Sequence, residues 1–145
     1  MLALAATDAD GAFPYLVTPE RVAWTRGVLG AANPDRRPIL AVSMPAALET
    51  DPDMARATAR AYLAPYLRTP AYQASWIAQG FEAADWEKPG SDRLVDAMVA
   101  QGDVEALRRR VGQLVAAGAD HVAIIPLGQD GSTEHLPTLE ALARG

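Results

Sequence analysis

Gly118-Ala119-Asp120-His121-Val122-Ala123-Ile124-Ile125-Pro126-Leu127 is the stretch on which the reading of this chain turns. Gly118 closes a segment in which Val104, Leu107, Val111, Leu114 and Val115 recur at helical spacing. Asp103 stands just before it as a cap. Asp120-His121 then leads into an apolar run that no polar alternation interrupts, which predicts a strand covered on both faces. A helix feeding such a strand is half of a βα unit, and a closing helix over Leu136 to Ala143 follows.

Outward towards the N-terminus the same alternation recurs. Ser91 caps a short predicted helix with Leu94, Val95, Met98 and Val99 on one side, ended by Gln101-Gly102, and Lys88-Pro89-Gly90 before it reads as a turn. Tyr62, Tyr66, Tyr72, Trp76, Phe81 and Trp86 make the preceding stretch aromatic-rich. The pairs Tyr62/Tyr66 and Tyr72/Trp76 are spaced i,i+4, which predicts a helical hairpin with apolar seams. Those rings either pack two helices together or line a substrate pocket. Asp51-Pro52 opens a helix expected to run through Arg68, kinked near Ala64 by Pro65. Pro38 to Met44 reads as a buried strand continuing past Pro45 towards Leu48 with a bend, and Asn33 to Arg37 as a polar linker. Thr18-Pro19-Glu20 starts a helix that Gly30 is expected to stop. Ala12 to Val17 is a candidate short strand, with Pro14 demanding an edge or an end. Leu2 to Ala9 reads as the end of a helix, closed by Asp8 and Asp10 before Gly11.

Three strand candidates separated by helices predict an α/β fold with a parallel sheet and right-handed crossovers. Such a sheet leaves both edges unpaired unless another polypeptide covers them. Met1-Leu2-Ala3-Leu4-Ala5-Ala6 is helix-like without a cap or polar leader, so the chain is expected to be the tail of something larger.

The 145 residues are half hydrophobic and carry a net charge of -5, a globular composition without a nucleic-acid footprint. Arg108-Arg109-Arg110, the one basic cluster, reads as a solvated helix face. No cysteine is present, which removes disulfides, thiolate nucleophiles and cysteine metal sites. No apolar run approaches the roughly 20 residues that span a bilayer. The expected setting is cytoplasmic, with no membrane and no nucleic-acid partner. The two histidines do not match zinc spacing, and no Gly-rich phosphate loop occurs.

Several blocks carry a resemblance. They are Ala64-Pro65-Tyr66-Leu67 with Pro70 and Tyr72, Gly80-Phe81, Ser91 to Asp96, Gly102-Asp103, and Gly118 to Val122. Upstream, Met1 to Pro19, with Ala9-Asp10-Gly11-Ala12 as a strand entry, and Asp51-Pro52 extend it across essentially the whole chain. In this order and spacing the chain resembles the C-terminal half of the bacterial luciferase-like monooxygenase superfamily, nearest its deazaflavin-dependent oxidoreductase branch. The resemblance implies residues 1–145 as one partial domain, the C-terminal portion of a (βα)8 TIM barrel holding about strands six to eight. It further implies coenzyme F-420 or FMN as cofactor and a small-molecule substrate. The family's catalytic polar residues fall in the half this chain lacks, so no catalytic residue is assigned.

Chemistry in such barrels sits at the C-terminal ends of strands. That rule places Pro14-Tyr15, Met44-Pro45 and Leu127-Gly128 at the functional face, with Tyr15 as a hydroxyl or ring facing the cofactor cavity or as a rim residue. Met1 and Leu2 would offer backbone N–H groups to a cofactor phosphate at a helix start. Arg93 would pair with Asp92 or Asp96, or reach a phosphate across the barrel top. His121, at the start of its strand, is expected to make a structural hydrogen bond, and His135 to be solvated. Two other readings compete with a luciferase-like oxidoreductase. One is a non-catalytic α/β fragment that self-associates through its open sheet edges, or meets a complementing N-terminal half. The other is a binding module using an exposed aromatic hairpin.

Overall fold

The computed structural model describes residues 5, 7–32 and 37–144. Among them lie four parallel strands, β1 (Gly11–Ala12), β2 (Ile39–Leu48), β3 (Ala100–Gly102) and β4 (His121–Pro126). The helices are α1 (Pro19–Ala32), α2 (Pro52–Leu63), α3 (Pro70–Ile77), α4 (Asp92–Met98), α5 (Val104–Ala116) and α6 (Leu136–Ala143), with a 3-10 turn at Tyr66–Arg68. The result is an α/β domain whose sheet is open, not closed into a barrel.

β2 is the centre. Its even-numbered residues turn their backbone groups to β4: the Asp120 N–H donates to Leu40 O at 2.8 Å and the Leu127 N–H to Ala46 O at 2.8 Å. Its odd-numbered residues face the other edge, where the Ile39 N–H donates to Asp10 O and the Glu49 N–H to Gly102 O. β1 and β3 therefore share one edge of β2, β1 at its start and β3 at its end. The sequence reading missed β3. Gln101-Gly102, expected only to end a helix, instead pairs with Ala47 and Leu48, a contact that local pattern does not announce.

Caps set the helix starts as anticipated. The Asp51 carboxylate accepts the Asp53 and Met54 N–H groups at 3.0 Å, Ser91 Oγ accepts Leu94 N–H at 3.1 Å, and Asp103 accepts Ala106 N–H at 2.7 Å. α2 ends at Leu63 before Pro65, where the 3-10 turn takes over. Gly30 does not stop α1, which continues to Ala32. Glycine costs a helix about 1 kcal/mol without ending it, and burial of Leu29 holds that last turn in place. The proposed strand from Ala12 to Val17 shrinks to Gly11–Ala12. Pro14 has no N–H to donate, and Leu16 adopts a left-handed φ of 52° that turns the chain off the sheet.

The two faces of β2 differ. Leu40, Val42, Met44 and Ala46 are buried with Val22 and Leu29 of α1, and with Leu107 and Leu114 of α5, in a wholly aliphatic cluster. On the other face Ile39 is exposed and Ala41 and Ser43 are only half-buried. β4 departs from its expected double coverage: Val122 to Pro126 are half-buried and His121 is exposed. Val122 and Ile124 pack into the aliphatic cluster. No described strand pairs with its outer edge.

Candidate functional site

At the C-terminal ends of the strands a second core takes over, and it is aromatic. All four tyrosines of the chain meet there with Trp76, Phe81 and Trp86, packed on Leu16, Ala47, Leu63 and Leu127. Trp76 is fully buried and Tyr62 and Phe81 nearly so. This settles the seams of the i,i+4 pairs as packing: the Tyr62 and Tyr66 ring centroids are 5.8 Å apart and those of Tyr72 and Trp76 6.2 Å. It also removes the exposed aromatic hairpin: among the described residues the exposed aromatic side chains, Phe13 and Trp24, lie outside that stretch, and the large apolar side chain it does expose is the aliphatic Ile77.

Tyr15 stands on the loop after β1. Its hydroxyl shares a short hydrogen bond with Tyr62 and donates to the Tyr66 hydroxyl at 3.1 Å, across 47 and 51 residues of sequence. Burial, then the hydrogen bonds to Tyr62 and Tyr66, push the Tyr15 phenol well above the usual phenol range. Burial likewise lifts Tyr62 to about 12, the hydrogen bond it shares with Tyr15 opposing the rise. At neutral pH these phenols are proton donors and acceptors, never phenolates.

Gln79, which the sequence reading passed over, holds this loop. Its Nε2 donates to Leu16 O at 3.3 Å and its Oε1 accepts the Thr18 N–H at 2.8 Å. The amide thus clamps the strained Leu16 backbone to the first turn of α1. A lone glutamine near a predicted helix end carries no sequence signal for this role.

Two clefts flank the loop. One, of about 400 Å³, is lined by Ala12, Phe13, Pro14, Tyr15, Arg21 and Ser75. The other, of about 510 Å³, is lined by Arg21, Trp24, Gln79, Phe81 and Arg93 among others, so Arg21 serves both. The Arg21 guanidinium lies 3.8 Å over the Trp24 ring. Arg93 pairs with neither Asp92 nor Asp96. It binds Asp85 at 2.7 Å and Gly80 O at 2.8 Å, and stacks 4.6 Å over Phe81. Desolvation pushes the Asp85 carboxyl up, but the Glu82 N–H, the Ser91 hydroxyl and Arg93 outweigh it and leave the group below its ordinary value. Asp92 and Asp96 are taken instead by Arg56 and Arg60 of α2.

A third cleft, of about 400 Å³, opens between the ends of β2 and β4, lined by Ala47, Glu49, Thr58, Gln129, Asp130 and His135. His135 is half-buried rather than solvated, and its Nδ1 lies 2.8 Å from the Thr138 hydroxyl at the start of α6. His121 is exposed at the opposite end of the sheet, and its ring makes no hydrogen bond among the described residues. The structural bond at that end comes from Asp120, which accepts the Leu40 N–H at 2.9 Å and pairs with Arg26 and Arg37. Met1 and Leu2, expected to offer backbone N–H groups to a phosphate, lie outside the described residues. Among the described residues no group of three His, Cys, Asp or Glu is placed to hold a metal ion. No helix among them is long and apolar enough to cross a membrane.

No family model matches the chain, and no curated protein matches it. A solved structure does, the coenzyme F420 dependent tetrahydromethanopterin reductase from Methanopyrus kandleri. The TM-score is 0.61 at 16% identity, over 87% of this chain and 42% of the reductase chain. This chain therefore spans less than half the length of that protein. The likeness shows a shared fold: parallel strands and crossover helices arranged as in part of a TIM-barrel-like domain, here with an open sheet.

Proposed function

We propose that this chain is the C-terminal portion of a luciferase-like oxidoreductase that uses a flavin or deazaflavin cofactor on a small-molecule substrate. One observation carries the reading. Tyr15 lies beside a cleft at the C-terminal end of the sheet, where TIM-barrel chemistry sits, in a chain that shares its fold with a coenzyme F420 dependent reductase.

The residues fit a planar ring with a charged arm. Phe13, Pro14 and Ala12 offer an apolar wall to a ring, and Phe13 is 62% exposed, free to stack. The Tyr15 phenol, held protonated, orients a polar ring atom. Arg21 places positive charge where this cleft meets the next, and Arg93 lies in that second cleft for an anionic tail. Bound there, the cofactor would supply hydride transfer or oxygen activation. This chain's residues bind it, orient it and exclude water from one side.

The half-buried β4, whose outer edge no described strand pairs, supports a second element of the reading. Another polypeptide covers this edge, either a complementing N-terminal half or a second copy of the chain. Light scattering over a concentration series checks the second copy, which predicts a mass that rises with concentration.

Titrating FMN and coenzyme F420 into the protein tests the cofactor site through cofactor fluorescence. Saturable quenching is expected, weakened in Phe13→Ala and Arg21→Ala. The reading fails if neither cofactor saturates, with the chain alone and with a polypeptide carrying the rest of the barrel.

A further inference from the structure

The aromatic core is a continuous file and not a loose cluster. From Tyr15 the ring centroids run 5.7 Å to Tyr66, then 4.9 Å to Tyr72, 6.2 Å to Trp76 and 6.3 Å to Trp86. These edge-on and tilted geometries bring neighbouring rings close at every step. One end lies at the C-terminal ends of the strands. The other, Trp86, is half-buried and within reach of solvent.

Packing alone does not ask for these residue types. Phenylalanine or leucine would fill similar volume without burying polar atoms, yet the file is built from phenols and indoles, the most easily oxidised ring side chains. Its fourth member is the telling one. Trp76 is fully buried, and its Nε1 has no hydrogen-bond partner among the described residues. A desolvated N–H left unmade costs about 1–3 kcal/mol, so this group calls for an explanation. For a ring that carries charge only in transit the missing acceptor is an advantage. An oxidised indole that cannot hand off its proton does not trap the charge.

We infer that this file is a one-electron relay between the surface at Trp86 and the tyrosine cluster. A one-electron oxidant of the radical class takes an electron from the Trp86 indole and is reduced to its anion, and the indole N–H proton goes to water. Trp86 then regains an electron through Trp76 and a proton from water. A phenol of the cluster loses that electron, and its O–H proton goes to water, leaving a neutral phenoxyl. Trp76 passes the charge as a radical cation and keeps its proton throughout. Tyr66 and Tyr72, both half-buried, are the phenols from which a proton can reach solvent. At neutral pH the phenoxyl is the more stable of the two neutral radicals, which gives the charge its inward direction. The relay needs no bound cofactor, so its failure leaves the proposed function standing, and the reverse holds.

Pulse radiolysis with azidyl radicals tests it in Trp24→Phe protein. Trp24 is exposed and off the file, so its removal leaves Trp86 as the accessible indole, and every tyrosine belongs to the cluster. The indolyl absorbance is expected to decay as the phenoxyl absorbance grows, with one first-order rate that does not change with protein concentration. Adding Tyr72→Phe keeps the ring but removes an oxidisable step, and the intramolecular rate should fall by an order of magnitude or more. The relay is overturned if no phenoxyl grows in Trp24→Phe protein, if the rate scales with concentration, or if Tyr72→Phe leaves it unchanged. The first two outcomes stand even if the double variant does not fold.

Discussion

Two cores share β2 and are built on opposite principles. The aliphatic cluster under α1, α5 and α6 is built of Val, Leu, Met and Ala, and the polar side chain buried on α1, Thr25, is bonded back to its own helix at Arg21 O. The aromatic cluster at the strand ends carries hydroxyls and an indole N–H into the interior. The first is fastened by area removed from water, non-directional and tolerant of repacking. The second is fastened by hydrogen bonds and ring geometry that one backbone arrangement satisfies. A fold needs the first kind of core. The second kind, placed where the strands end, is where the proposed cofactor site would stand.

The sharpest way to break that contrast is to excavate the aliphatic side. Leu107 is fully buried, so Leu107→Ala should cost about 2–5 kcal/mol in chemical denaturation. The phenols of the protein that remains folded should titrate as before. If their titration moves, the two cores are one cooperative unit.

Gly131 strikes the other core. Its φ is +79°, and an added Cβ would lie 2.6 Å from the Tyr62 nitrogen, a backbone atom that cannot swing aside. Gly131→Ala should cost about 1–3 kcal/mol through backbone strain of this kind, with the clash adding to it. Near-ultraviolet circular dichroism of the tyrosines should change with it, unlike in Leu107→Ala.

Acid and alkali separate the cores further. Tyr15, Tyr62 and Tyr72 all have pKa values raised by burial. Their protonation favours the folded state below the free phenol value of about 10, and that contribution is lost as pH rises past it towards the folded values. Phenolate absorbance should therefore appear together with unfolding, later than in a mixture of free tyrosine. At the other end of the sheet the Leu40 N–H, and then Arg26, hold the Asp120 carboxyl below its ordinary value. Its contribution is present above the unfolded carboxylate pKa of about 4 and is lost as pH falls through the folded one. Asp120→Asn should flatten the acid limb of the stability profile and leave the alkaline limb alone.

The smallest effect is expected at Val115. It belongs to the apolar stripe of its helix but is 53% exposed. Val115→Ala should change stability by no more than about 0.5 kcal/mol, which marks where the aliphatic core ends.

What the sequence showed and what it hid follow one physical line. β2 and the caps at Asp51, Ser91 and Asp103 were legible because each rests on a local rule: an apolar run, or a short polar side chain before a helix. Coverage of β4 was misread because burial of a strand depends on what lies beside it. An apolar run records only that something should. β3 was invisible because its pairing with β2 joins residues more than fifty positions apart. Tyr15 could be placed at a strand end, but nothing near it in sequence names Tyr62 and Tyr66 as partners. Gln79 carried no signal at all.

Taken by itself, the sequence determined the parallel α/β alternation, most helix limits and the end of the sheet at which a site would stand. These depend on spacing along the chain, and spacing is what a sequence records. Tertiary structure alone decided that all four tyrosines share one cluster, that Arg93 answers to Asp85, and that β4 has β2 as its one partner strand among the described residues. Each of these is a meeting of residues distant in the chain, fixed by how strands and helices stack and not by any residue's neighbours.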